Sequence, residues 1–155
     1  MYKRILVPTD GSDLSALAAD AAIAFAQGCG SEIVAFSVVQ PEPIVPLVEG
    51  AGVAGSVDID VLMEEAQACV ARVAEAAAKA GVPCKSVTAY AISPADEIVA
   101  AIERERCDLV FMATHGRRGL SRLIAGSVTQ RVLAYAPVPV LVYRPRTAGS
   151  AHFVG

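Results

Sequence analysis

Strand-like and helix-like stretches alternate along the whole of this 155-residue chain, and that alternation narrows the fold more than any other feature. It is the pattern of βαβ units, in which parallel strands lie side by side under covering helices. Five strands are expected: Arg4 to Pro8, Ile33 to Val39, Ser86 to Ala91, Leu109 to Ala113 and Val138 to Tyr143. Nearly unbroken Val, Ile and Leu in the first, second, fourth and fifth predict burial on both faces. The third alternates, as Ser86-Val87-Thr88-Ala89-Tyr90, and is expected at an edge. The fold class that follows is α/β, an open, mostly parallel five-stranded sheet with helices on both faces.

Punctuation residues place four helices. The first follows Ser12 as N-cap, carries Leu14, Leu17, Ala18, Ala21 and Phe25 at helical spacing, and ends near Gly28 or Gly30. The second starts at about Asp58, puts Leu62, Ala66, Cys69, Val70, Val73 and Ala77 on one face, and stops at Gly81. Ser93-Pro94-Ala95-Asp96 opens the third with an N-cap, a proline at the first helical position and an acid in the first turn. The fourth begins at Gly126-Ser127 and is expected to bury Val128, Val132 and Leu133. Residues 1–145 thus read as one domain. The connection Pro41 to Val57, with three prolines and three glycines, reads either as a ligand-covering flap or as an unstructured insertion. Residues 146–155 read as a frayed tail.

Composition excludes several classes. No stretch approaches the ~18 apolar residues of a membrane span, so no membrane role is expected. The N-terminus runs straight into a strand with no apolar leader and cleavage site, which points to the cytoplasm. Four cysteines, Cys29, Cys69, Cys84 and Cys107, are widely spaced and only two histidines accompany them. Buried reduced thiols are expected rather than a metal site. A net charge of -3 gives no broad pull toward nucleic acid, so no nucleic-acid partner is expected.

Chemistry concentrates in Met112 to Val132, MATHGRRGLSRLIAGSVTQRV. Gly116 and Gly119 let backbone amides approach a ligand, and Gly126-Ser127 opens a helix whose first N–H groups are unpaired and whose dipole is positive there. Arg117, Arg118 and Arg122 add charge that either meets phosphate or is simply solvated. In open α/β sheets ligands gather beyond the C-terminal ends of the strands, where Pro8-Thr9-Asp10-Gly11-Ser12, Ser37-Val38-Val39 and the loop after strand four would meet. Asp10 reads as a ribose or Mg2+ ligand, or as an ordinary turn aspartate in Asp-Gly. His115 reads as an acid, base or phosphate ligand, or as a loop histidine bonded to backbone. Standard fingerprints are missing: no lysine precedes Ser127 as a P-loop requires, and the first turn holds one glycine where a dinucleotide fold wants three.

Three blocks together resemble the universal stress protein family. The family's Gly-x2-Gly-x9-Gly-Ser/Thr signature stands here as Ala113-x2-Gly116-x9-Gly126-Ser127, followed by Val128 and Thr129. Ile5-Leu6-Val7-Pro8-Thr9-Asp10-Gly11-Ser12 and Pro137-Val138-Pro139-Val140-Leu141-Val142 are similar to the family's opening and closing strands. The resemblance implies a Rossmann-like sheet in the order 3-2-1-4-5, a homodimer, and binding of ATP, or of ADP or AMP, with Mg2+. It also implies that Pro8, Thr9 and Asp10 lie by the nucleoside and that Val38 meets adenine through its backbone. Met112, Ala113, His115 and Gly116 would line the loop, while Gly126, Ser127, Val128 and Thr129 hold phosphates; by its charge Arg117 is a further expected contact of the nucleotide, and Asp10 is the expected metal ligand. Ala113 departs from the signature's first glycine, which is tolerated if its φ is negative and weakens binding if positive φ is needed.

The last strand carries its own argument for a homodimer. It is an apolar edge, and such edges pair with a partner or aggregate. Pro137 and Pro139 fit an edge location, and pairing through Val138 to Tyr143 is expected. The function expected is a stress-response regulator that binds ATP and hydrolyses it slowly or not at all, with no catalytic residues assigned. The alternatives are a dimeric interaction protein of the same fold that binds no nucleotide, and an ATP-using enzyme, for which the chain leaves little room.

Overall fold

The computed structural model describes residues 1–41, 58–115 and 125–145. Its elements alternate as the sequence predicts: β1 Arg4–Pro8, α1 Asp13–Cys29, β2 Glu32–Val39, α2 Ile59–Lys79, β3 Cys84–Tyr90, α3 Pro94–Arg104, β4 Leu109–Ala113, α4 Ser127–Tyr135 and β5 Val140–Tyr143. All pairings are parallel and the strand order is β3-β2-β1-β4-β5. The connection expected as flap or insertion, beyond Pro41, and the expected tail from Arg146 lie outside the described residues.

Alternate strand residues feed two cores. Ile5, Val7, Ile33, Ala35, Leu109 and Phe111 pack under α1 and α2. Leu6, Val34, Phe36, Val110 and Met112 pack under α3 and α4 on the other face. The period-2 side-chain alternation of strands, combined with right-handed crossovers, produces this division. The helix ends match their signals: Ser12, Asp58 and Ser93 each accept a first-turn N–H, and Gly30 and Gly81 sit at φ 68° and 70° after α1 and α2.

Several expectations need correction. β5 begins at Val140 rather than Val138, because Pro137 and Pro139 have no N–H to give; Pro139 only accepts, from Val110 N at 3.0 Å. β3 begins at Cys84, two residues early, and β2 at Glu32, where Glu32 N donates to Lys3 O at 2.9 Å. β5 is half-buried along its length, not buried on both faces, as its edge position dictates. The buried face of α1 is Ser15, Ala18, Ala19, Ala22, Ile23 and Ala26, with Leu17 exposed. So many alanines make this helix apolar on most sides, and apolar spacing alone does not choose its inner face. In α4, Leu133 is exposed and Thr129 is buried in its place, because α4 shows the sheet the face of Thr129 and Val132.

All four cysteines are free, but only Cys69 and Cys107 are buried; Cys29 and Cys84 are half-buried. Burial, opposed by nearby Arg4, pushes the Cys107 thiol up to about 12, so it stays protonated and inert. No described helix is long and apolar enough to cross a membrane.

Candidate functional site

Parallel strands all end at one rim, and every helix starts there. Above the ends of β1, β2 and β4 that rim opens into a cavity of about 560 Å³. Each expected site residue within the described part lines it: Pro8, Thr9 and Asp10 from β1; Val38 from β2; Met112, Ala113 and His115 from β4; Gly126, Ser127, Val128 and Thr129 from the start of α4. Gly116 and Arg117, with Arg118, Gly119 and Arg122, lie outside the described residues. Ser37 and Val39 do not share this cavity. They point to the opposite face of β2 and line a smaller pocket of about 210 Å³ with Glu65 and Cys69 of α2.

Local hydrogen bonds fix the floor. Thr9 N donates to Phe36 O at 2.8 Å, which ties β1 to β2 at the rim, and the Thr9 and Ser15 hydroxyls meet at 3.2 Å. Asp10 Oδ1 accepts from Ser12 N at 2.9 Å and Gly11 takes φ 78°. The turn role and the position in the cavity therefore coexist in Asp10. Ala113 ends β4 opposite Tyr143, with no positive φ, so its methyl group costs no backbone strain. The condition for tolerating this departure from the glycine signature is met on the backbone side.

The wall made by α4 differs from the other helix starts. Ser12, Asp58 and Ser93 cap α1, α2 and α3, whereas α4 has no side-chain cap. Gly126 N donates to Thr114 O at 2.8 Å, and the next N–H groups have no partner within the helix. A Cβ on Gly126 would sit 3.5 Å from Thr114 O and 3.6 Å from His115 Cα, ordinary contacts, and its φ of -59° suits any residue. Among the described residues, neither packing nor backbone shape demands glycine there. Thr129 donates its hydroxyl to Ala113 O at 3.0 Å, which hooks the first turn of α4 onto β4. His115 Nδ1 lies 3.1 Å from the Thr114 hydroxyl.

The far wall is built from residues that no sequence motif marks as ligand-binding. Ser93, Pro94, Ala95 and Ile98 at the start of α3 line the cavity, with Phe36, Ile92 and Gln40. Gln40 Nε2 donates to Ile92 O at 3.0 Å and joins the end of β2 to the turn before α3. The signal was available, since Ser93-Pro94 marks a helix start and helix starts share this rim. Arg131, one turn beyond Ser127, also lines the cavity and binds Asp96 through two hydrogen bonds, 2.7 and 3.2 Å. Hydrogen bonds from Arg131, then Ser93, hold the Asp96 carboxyl below the usual carboxylate range. Among the described residues no cluster of three His, Cys, Asp or Glu could hold a metal ion alone.

Comparison with known proteins places this geometry. Residues 1–144 match the model of the universal stress protein family. Universal stress protein MJ0531 of Methanocaldococcus jannaschii is 38% identical over 146 residues, covering 93% of this chain and 83% of that one. The solved structure of MJ0577 superposes with a TM-score of 0.78 at 29% identity, covering 96% of this chain and 99% of that one. A universal stress protein solved in complex with cAMP has the same fold, with a TM-score of 0.69 at 22% identity over 92% of this chain and 97% of that one. This chain belongs to the universal stress protein family.

Proposed function

We propose that this chain is a cytoplasmic stress-response regulator that binds an adenine nucleotide, ATP or its ADP and AMP counterparts, in the 560 Å³ cavity and hydrolyses it slowly or not at all. The observation that carries this reading is the uncapped start of α4, aimed at the cavity. Free first-turn N–H groups and a positive helix dipole are a ready phosphate site. Pro8 and Thr9 flank the nucleoside, the Val38 backbone meets the base, and Met112, Ala113 and His115 form the opposite wall. The backbone N–H groups of Ser127, Val128 and Thr129 take phosphate oxygens, with Gly116 and Arg117 completing the loop. A Mg2+ ion would be held by Asp10 together with the phosphates, the usual mode for this ion. The half-buried β5 edge supports a homodimer through Val138 to Tyr143. Sizing at micromolar concentration should give a dimer, and a clean monomer would count against it.

Thermal unfolding tests the nucleotide reading. A ligand at a hundred times its dissociation constant stabilises the native state by about 2.7 kcal/mol, which for this chain length raises Tm by about 5–11 °C. Gly126→Ala should fold as the wild type does, because its Cβ meets only ordinary contacts, yet lose the shift by crowding the phosphates. No shift with ATP, ADP or AMP at millimolar concentration overturns the reading. Multiple-turnover phosphate release would move the protein to the enzymes.

A further inference from the structure

Arg131 is the only described residue lining the cavity that carries a permanent positive charge. It stands four residues beyond Ser127 on α4, a rise of about 6 Å. Helical side chains lean toward the N-terminus, so its guanidinium returns toward the uncapped first turn. It is engaged there by Asp96 of α3, and it also lies over the Tyr135 ring, 5.5 Å from the centroid. Arg131 and Asp96 are each about half exposed, with side chains 53% and 56% accessible. An ion pair in that setting is weak and readily exchanged, and a terminal phosphate offers a guanidinium the same two-pronged geometry with more charge.

We infer that Arg131 discriminates nucleotides by the length of their phosphate chain, leaving Asp96 for the terminal phosphate of ATP and remaining on Asp96 when AMP is bound. This rests on the nucleotide reading above and assigns a specificity determinant within it. A chain of phosphates running from the nucleoside end at Val38 toward α4 brings only its last members to Arg131. Asp96 is then a competitor: it holds the arginine back and places a negative charge beside the phosphates. Removing either partner should therefore move ATP affinity in opposite directions. A pair that only ties α3 to α4 would make the two variants behave alike.

The experiment is calorimetric titration of the full chain with Mg-ATP and with AMP, for the wild type, Arg131→Gln and Asp96→Asn, with the Tm of each free protein recorded. Arg131→Gln should weaken ATP by about tenfold, the size expected for a lost charge-assisted contact, and AMP by less than about twofold. Asp96→Asn should tighten ATP by about threefold and leave AMP unchanged. Its direction keeps the test sound even if Arg131→Gln proves unstable. Equal changes for ATP and AMP, or an Asp96→Asn variant that weakens ATP, overturn the role of Arg131 while leaving the site itself in place. A wild-type chain that binds neither nucleotide overturns both.

Discussion

Replacing Thr129 by valine keeps the branched shape of the side chain and removes one hydroxyl. In the structure that hydroxyl is buried, with the residue 2% exposed, and it donates to Ala113 O at 3.0 Å. A buried hydrogen bond of this kind contributes about 1 kcal/mol net, and an acceptor left short in the interior raises the loss toward about 2 kcal/mol. For a chain of this length the fall in Tm is about 2–8 °C. The Thr129 N–H at the start of α4 is untouched, so nucleotide affinity should change by less than about threefold. Thr129→Ser, which restores the hydroxyl, should recover most of the stability. Denaturant unfolding read beside nucleotide titration separates the two effects. Unchanged stability with a tenfold loss of affinity would refute the assignment, since the hydroxyl would then serve ligand rather than Ala113.

Two further outcomes concern the opposite rim and the end of α3. Asp108 accepts from Lys3 N at 2.9 Å and from Arg4 N at 3.0 Å; burial alone would raise its pKa, but these amides outweigh it and leave it below the usual range. A depressed folded-state pKa adds stability above the unfolded value of about 3.9 that is lost as pH falls through the folded value. Asp108→Asn should lower stability at pH 7 and flatten the acid limb, and an unchanged acid limb would assign that limb to other groups. Arg106 holds φ 55° after α3, where Cys107 N reaches back to Ile102 O at 2.8 Å. Arg106→Gly relieves that strain and should add about 0.5–1 kcal/mol, seen as a Tm rise of about 1–4 °C; a fall would show that the arginine side chain contributes more than its backbone costs.

What the sequence discloses is what short-range chemistry dictates. Ser93-Pro94 and the glycines at 30 and 81 announce helix boundaries because caps and positive φ are local requirements, and they stand where expected. The residues from Pro8 to Asp10 and from Gly126 to Thr129 face one cavity because parallel topology brings strand ends and helix starts to one rim. The pairing of Asp96 with Arg131, 35 residues apart, has no local trace, nor does the bond from Gln40 to Ile92 across 52 residues. The face of α1 was hidden for another reason: with alanine on most sides, burial is decided by how the sheet receives the helix.

That last helix sets an unusual rule for what the chain can tolerate. Ala18, Ala22 and Ala26 form a line of side chains with no accessible surface, so a larger side chain at any of them must displace its neighbours. Valine or leucine there, ordinarily a mild exchange among core residues, would push the helix off its seat at about 1–3 kcal/mol each. Serine, although polar, fits that volume, and Ser15 on the same face already satisfies its hydroxyl with Ser12 O at 2.9 Å. Along this seam, size rather than polarity separates neutral substitutions from damaging ones.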